Sequence, residues 1–404
     1  MIKSQNPRTH SSDTAEVIVL GAGPAGLVLG NLLLASGVDC LVVERADREQ
    51  VQTRARAGFL AANTVRILDR HGLADGLHRH GREHTVCEFR TEDGRFRLDY
   101  GALGLGERHT VYPQQELVRD LLTRYLDAGG RISFGTEAVA VVGAETLRPT
   151  VTVHDTDGRP ARWQARYVAG CDGRHGAARR SLPTCAVRRH HRDHGVSWLG
   201  LLAEAPPSLD AVGYAVHGRG FAGHMARTPE VTRYYLQCER GEAADAWSEQ
   251  RIWDELALRM RSSEYGELHR GPIVQRTVVD LESDVLEPLR YGSLLLAGDA
   301  ASLLSPSAAK GANLAVLEAE LLAEALVDDL RRGDGTALDH YSARCLAHIW
   351  RAQAFSHWMI RLLHGPSGSD PDSLFHNSLR RSRVESLRVS RSQQDWFAEQ
   401  YVGV

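Results

Sequence analysis

Cysteine is scarce and scattered: Cys40, Cys87, Cys171, Cys185, Cys238 and Cys345 show no paired spacing across 404 residues. That distribution argues against a disulfide framework, gives a zinc site no support, and fits reduced thiols in a cytoplasmic protein. Long hydrophobic runs are also missing, and no apolar stretch approaches the length of a membrane span. Nor does one sign of charge dominate. The 48 basic and 51 acidic residues are interspersed to a formal net charge of -3, so neither nucleic acid nor a membrane surface is an expected partner. The first dozen residues, through Ser12 and Asp13, lack the apolar core of a secretion signal and read as a short flexible lead. His190, His191 and His194 lie in a basic stretch without an acidic or cysteine partner at ligand spacing, so no metal is expected. No repeat or low-complexity tract occurs. With 43% apolar and 25% charged residues, the chain can build two or three packed domains.

What is present begins with Val17-Ile-Val-Leu20, then Gly21-Ala-Gly23-Pro-Ala-Gly26, then the apolar run Leu27 to Leu34. This reads as strand, glycine turn and helix. Gly21 permits the tight turn, Gly23 lets the backbone approach a pyrophosphate, and Gly26 lets the helix pack closely on its strand. A second strand, Cys40-Leu-Val-Val, ends in Glu44, whose carboxylate can bond the ribose hydroxyls of an adenosine. The set is a dinucleotide fingerprint; it leaves open whether the dinucleotide is a flavin or a nicotinamide.

Further along, Arg54-Ala-Arg56-Ala-Gly58 precedes a helical pattern from Ala61 to His71. Alone these arginines would read as a solvated face; their place after a nucleotide-binding turn makes them ligand candidates. Val86 to Tyr112 alternates, with a hairpin signal at Asp93-Gly94, and Gln115 to Leu126 has helical spacing. Ile132 to Val142 and Val151 to His154 read as strands, and the strand from Tyr167 stops at Gly170-Cys-Asp172-Gly173. From about Arg188 to Asp280, aromatic and apolar alternation points to a separate sheet. Leu294-Leu-Leu-Ala297 then enters Gly298-Asp299, and Lys310-Gly311-Ala-Asn313 opens a long helix through Leu330, a second turn suited to phosphate or sugar. The final stretch reads as helical, with a linker at Gly365 to Asp372.

Together these segments resemble the para-hydroxybenzoate hydroxylase family, the class A FAD-dependent aromatic monooxygenases. The resemblance runs from Val17 to Val402. Its motifs are the opening glycines, Arg54-Ala-Arg56-Ala-Gly58, Tyr112-Pro-Gln114, Ala169-Gly-Cys-Asp172-Gly173, Leu296-Ala-Gly298-Asp299-Ala, Ala309-Lys310-Gly311-Ala-Asn313, His340-Tyr-Ser-Ala-Arg-Cys345 and Gln400-Tyr401-Val402-Gly403. It implies an α/β fold with a Rossmann-like FAD/NAD(P)-binding domain over 1–187 and a β-sheet substrate domain over 188–280. Residues 281–404 would complete the FAD site and supply a helical interface region for a homodimer.

Carried over residue by residue, the resemblance implies that Gly21, Gly23, Gly26 and Glu44 hold the adenosine diphosphate half of FAD, with Arg56 and Gln114 by the pyrophosphate. Asp299 would bond the ribityl chain, and Lys310, Gly311 and Asn313 would lie near the isoalloxazine. Arg54, Asp172, His175 and Arg179 match positions that meet NADH or NADPH. Arg227 and Tyr235 match the groups that grip a substrate carboxylate, and the carbonyl of Pro306 would accept from its phenol. Tyr214, Tyr401 and His84 match a relay for the phenolic proton, with His84 as the member able to exchange it near neutrality. Met225 replaces a serine of the family at the carboxylate. Phe59, Ala177 and Gly223 alter the walls, which points to a ring-substituted relative of 4-hydroxybenzoate such as 3-amino-4-hydroxybenzoate. Glu282 stands where the family has arginine, so NADH is expected to serve at least as well as NADPH.

The function implied is hydroxylation of a small aromatic acid by O2 and NAD(P)H through a flavin C4a-hydroperoxide. The rivals are an FAD-dependent reductase or dehydrogenase on the same fold, and a flavin-binding regulator without turnover.

Overall fold

The computed structural model describes residues 14–54, 58–261, 267–366, 368 and 370–403. The expected lead before residue 14 and Arg56 lie outside them. The strand Thr14–Leu20 is buried along its last four residues, as a parallel strand covered on both faces requires. It pairs in parallel with Cys40–Val43 on one side and Pro160–Gly170 on the other; Arg131–Ser133 and Leu294–Leu296 extend the parallel set outward. Glu137–Val142 and Thr150–His154 branch from it as an antiparallel ladder. The helices Pro24–Ala35 and Gly311–Val327 pack against each other by this sheet, and both begin at the carboxyl ends of its parallel strands.

The second sheet runs in the order Ser302–Leu303, Ile273–Glu287, Arg188–Ala203, Thr232–Cys238, Gly220–Ala226, Val212–His217, Val86–Thr91, Gly94–Asp99. The hairpin expected around Asp93-Gly94 forms. Its strand Val86–Thr91 joins this sheet through parallel pairing with Val212–His217, so the sheet draws on residues well before Arg188. A turn signal specifies a hairpin but not the sheet that receives it. A small three-stranded antiparallel sheet is formed by Phe59–Leu60, His109–Val111 and Arg82–His84.

The C-terminal segment is helical as expected, in Thr336–Leu363, Pro371–Val389 and Arg391–Val402. Phe355 and Met359 of the first of these helices, and Phe397 and Tyr401 of the last, form one apolar core with Phe89, Tyr214 and Phe221 of the second sheet. The helix opened by Lys310 is α-helical to Val327 and ends in a wider turn over Asp328–Arg332. Among the described residues, no helix is long and apolar enough to cross a membrane, and no cluster of His, Cys, Asp or Glu is placed to hold a metal ion.

Candidate active site

Two adjoining sites emerge. The first is a cleft of about 1090 Å³ at the carboxyl ends of the parallel strands, at the upper end of ordinary cofactor-pocket sizes. It is lined by Gly21, Gly23, Glu44, Arg54, Gln114, Asp172, His175, Asp299 and Gly311. Gly23 and Gly26 of the glycine turn serve different needs. A Cβ at Gly26 would stand 1.9 Å from the carbonyl oxygen of Gly21, so helix and turn can touch only without one. At Gly23 no protein atom lies within 4 Å of that position, which leaves the backbone bare toward the cleft. Glu44 accepts from the amides of Ala22 at 2.7 Å and Ala46 at 2.9 Å, and a carboxylate has lone pairs to spare for ribose hydroxyls. Buried Glu318 accepts from the Gly298 amide at 2.6 Å and so sets the turn that presents Asp299; burial raises its carboxyl to about 8. Asp172, which lines the cleft, accepts from the Ala178 amide at 3.0 Å, while its other oxygen is buried without a protein partner. An open backbone at Gly23, a ribose-bonding carboxylate and an orphaned acceptor suit a dinucleotide cofactor.

Not every expected nucleotide contact falls here. Arg179 is held by Asp284 in an ion pair, and Arg180 is the cation of that helix lining the cleft. On the short helix Ala177–Arg180 adjacent residues point apart, which sequence matching cannot resolve. Glu282 pairs with Arg174 at 2.6 Å and Arg240 at 3.5 Å, so its charge is compensated and the preference for NADH no longer follows from it. Ala177 lines this cleft, not an aromatic wall.

The second site, the aromatic chamber of the substrate side, is a cluster of packed, buried rings. Tyr214 and Tyr401 place their hydroxyls 2.6 Å apart, and burial holds both phenols well above the usual tyrosine range, hence neutral. Strand alternation in Thr232–Cys238 turns Tyr235 to the same face, where it packs with Met225 in this core. Arg227 lies just beyond the strand Gly220–Ala226, half-buried, with Gln115 Oε1 3.5 Å from one nitrogen. Burial and then the nearby Arg233 lower its guanidinium to about 10, so it stays charged at neutral pH. Gly223 does not widen the chamber: Phe221 occupies the space, 2.8 Å from where a Cβ would sit. Pro306 is exposed and opens a 3-10 turn whose carbonyl accepts from the Ala309 amide at 3.2 Å. Ala309 itself has φ 52°, a left-handed conformation rare for alanine and of the kind found at working sites.

His84 departs from expectation. Its Nε2 accepts the Val212 amide at 3.2 Å, so the neutral ring carries its proton on Nδ1, 2.6 Å from the Tyr100 hydroxyl. Tyr100 in turn donates to the His84 carbonyl at 2.8 Å. Burial lowers His84 to about 4, so it is not the group that exchanges protons near neutrality. Tyr100 and His109 were not singled out in the sequence, where they appear only as members of an alternating stretch. His109 stacks on Phe59 with ring centroids 4.0 Å apart and lies 4.9 Å from the Tyr401 ring. Asn313 accepts from Ala61 at 2.8 Å and Thr64 at 2.7 Å, and donates to Phe59 at 3.0 Å and Ala309 at 2.8 Å. All its bonding capacity is thus used to fix this wall. Buried Lys310 joins the two sites, donating to the carbonyls of Tyr401, at 2.9 Å, and Gly403; burial lowers it to about 7.

Comparison with known proteins agrees with this geometry. The model of the FAD binding domain matches residues 14–356. The chain is 34% identical over 389 residues to p-hydroxybenzoate hydroxylase of Acinetobacter baylyi, covering 96% of this chain and 95% of that protein. It is 30% identical over 376 residues to 3-amino-4-hydroxybenzoate 2-monooxygenase of Streptomyces platensis, covering 89% and 91%. The solved structure of p-nitrophenol 4-monooxygenase from Pseudomonas putida shares its fold, with a TM-score of 0.80 at 20% identity, covering 96% of this chain and 99% of that one.

Proposed function

Since the chain belongs to the family built on the FAD binding domain and is an FAD-dependent aromatic monooxygenase, we propose that its substrate is a 4-hydroxybenzoate-type acid, unsubstituted or carrying a 3-amino group. The observation that carries this reading is the Tyr214–Tyr401 hydroxyl pair in the chamber wall that also carries Tyr235 and Met225. FAD, bound in the glycine-lined cleft, supplies the redox chemistry that takes electrons from NAD(P)H and activates O2.

The protein's part follows from its own groups. Arg227, charged and half-buried, orients the carboxylate; with Met225 unable to bond there, it carries the larger share. Tyr214 meets the substrate's phenol and, with Tyr401, lets its proton move away, which makes the ring a better nucleophile. Phe59, Phe221 and Tyr235 keep water from the reacting carbon. Lys310, about half charged near pH 7, places partial positive charge beside the site and so favours a reduced, anionic cofactor. Arg54, Asp172, His175 and Arg180 form the face on which NAD(P)H approaches.

The test is a panel of benzoic acids scored for stimulated NAD(P)H oxidation, with mass spectrometry for one added oxygen. We expect 4-hydroxybenzoate or its 3-amino derivative to give the highest ratio of product to coenzyme. Oxidation of substrate without oxygen incorporation would identify a dehydrogenase instead. No stimulated coenzyme consumption by any acid would leave a flavin-binding regulator.

A further inference from the structure

The strand Arg188–Ala203 bulges where it runs along Ile273–Glu287. Asp193 pairs with Glu282 and Ser197 with Asp280, so His194, Gly195 and Val196 together face the single residue Leu281. Such bulges re-aim side chains beside working sites. This one lines a cavity of about 830 Å³, separate from the nucleotide cleft and closed on another side by the end of the helix Thr336–Leu363.

The cavity is basic in a chain whose formal net charge is -3. Five arginines, Arg192, Arg219, Arg251, Arg259 and Arg361, line it against two acids, Glu239 and Glu242. Glu255 pairs with both Arg219 and Arg259, and Arg251 pairs with Glu242 while lying 3.7 Å over the Trp247 ring. Arg192 and Arg361 are exposed and make no ion pair among the described residues. Its floor is the back of the aromatic chamber. His364 lines the cavity and accepts the indole N–H of Trp198 at 2.6 Å, and that indole packs 4.9 Å from the ring of Tyr235.

We propose that this cavity is a capture site for the carboxylate of the incoming aromatic acid, with the Trp198–His364 pair as the partition between it and the chamber. The inference rests on the substrate class proposed above. A carboxylate approaching an acidic protein gains from a local patch of opposite sign, which raises its concentration at the door and hence its rate of association. Arginine suits that role, because its guanidinium is weakly hydrated and matches a carboxylate edge.

Stopped-flow mixing of the FAD-loaded enzyme with 4-hydroxybenzoate, followed by the change in flavin absorbance, tests this. In the double variant Arg192→Gln/Arg361→Gln the association rate should fall about fivefold at low ionic strength, and should meet the wild-type rate at about 1 M salt, where charges are screened within about 3 Å. Turnover at saturating acid and the KM for NAD(P)H should not move. At pH 6, where its phenol is protonated and it carries no charge, the analogue 4-hydroxybenzaldehyde should associate equally fast with both proteins. An unaltered rate for the acid at low salt, or an equal slowing of the aldehyde, overturns the proposal, and so does a raised KM for NAD(P)H, which would make the cavity a coenzyme site. Failure of the wild type to bind any hydroxybenzoate would instead bring down the substrate class, and the capture site with it.

Discussion

The nucleotide cleft and the aromatic chamber adjoin, yet they are made of different material. The cleft's working parts are turns and backbone amides, each supplied by a short run of sequence such as Gly21 to Gly26. The chamber's working parts are side chains, and its central pair, Tyr214 and Tyr401, is 187 positions apart. A site made of backbone is specified by what must be absent, namely a Cβ. A site made of side chains is specified by what must be present, and a single hydroxyl can decide its chemistry.

The largest effect expected from this contrast is at Gly26. An added methyl group there meets the Gly21 carbonyl, and overpacking against backbone that cannot yield should lower the stability of the apoprotein by about 3 kcal/mol or more in urea unfolding. Gly23→Ala should leave that stability within about 0.5 kcal/mol and weaken FAD binding at least tenfold, because its methyl group would intrude on the ligand and not on the protein. Equal stability in the two variants would break the division of labour between the two glycines.

Next comes the chamber. Tyr214→Phe keeps the ring and removes one hydroxyl, so FAD binding and reduction should persist while hydroxylation falls about a hundredfold, with the electrons emerging as hydrogen peroxide. Product formed per NAD(P)H oxidised measures it, and coupling as high as in the wild type would move ring activation elsewhere. Arg227→Ala should weaken binding of the acid about a hundredfold, near 2.7 kcal/mol, and spare FAD. Equilibrium titration of the flavin absorbance decides it; near-native affinity would place the carboxylate away from Arg227.

The smallest effect is a slope. Lys310 has its folded-state value lowered to about 7 from 10.5, so between those limits the unfolded chain binds a proton that the folded chain does not. Stability of the apoprotein should therefore rise with pH across that window, and the cost of the buried charge should be felt in full below about pH 7. In Lys310→Met this contribution to the slope should vanish and stability at pH 6 should increase. His84, lowered to about 4, works in the same direction at lower pH: it favours the folded state above about 6.5 and loses that contribution as pH falls toward 4. The coupling profile should accordingly show no inflection from His84 near 6.5.

The same contrast explains what could be read from the residues alone. The glycine turn, Glu44 and the strand before Asp172 were legible because a strand, a tight turn and a helix start are local events with their own periodicities. The tyrosine pair was reached through resemblance, since nothing around Tyr214 announces Tyr401. Tyr100 and His109 stayed hidden, because an alternating pattern tells which residues share a face but not which buried ring they will meet. Arg179 and Arg180 show the limit at its finest: neighbours on one helix turn, one in an ion pair and the other at the cleft. His84 was expected to exchange the relay's proton near neutrality, but its proton affinity depends on burial and on an amide supplied by Val212, which no local pattern encodes.

Lys310 stands immediately before the helix Gly311–Val327 and holds carbonyls at the end of the helix that carries the Tyr401 phenol. One ammonium therefore belongs to both sites at once. With FAD in the cleft, reciprocity fixes what this implies: any free energy by which a negative cofactor charge alters the passage of a proton through the Tyr214–Tyr401 pair must equal the free energy by which that passage shifts the cofactor's midpoint potential. The bond at Lys310 is thus a place where an electron count on one side and a proton count on the other are read against each other.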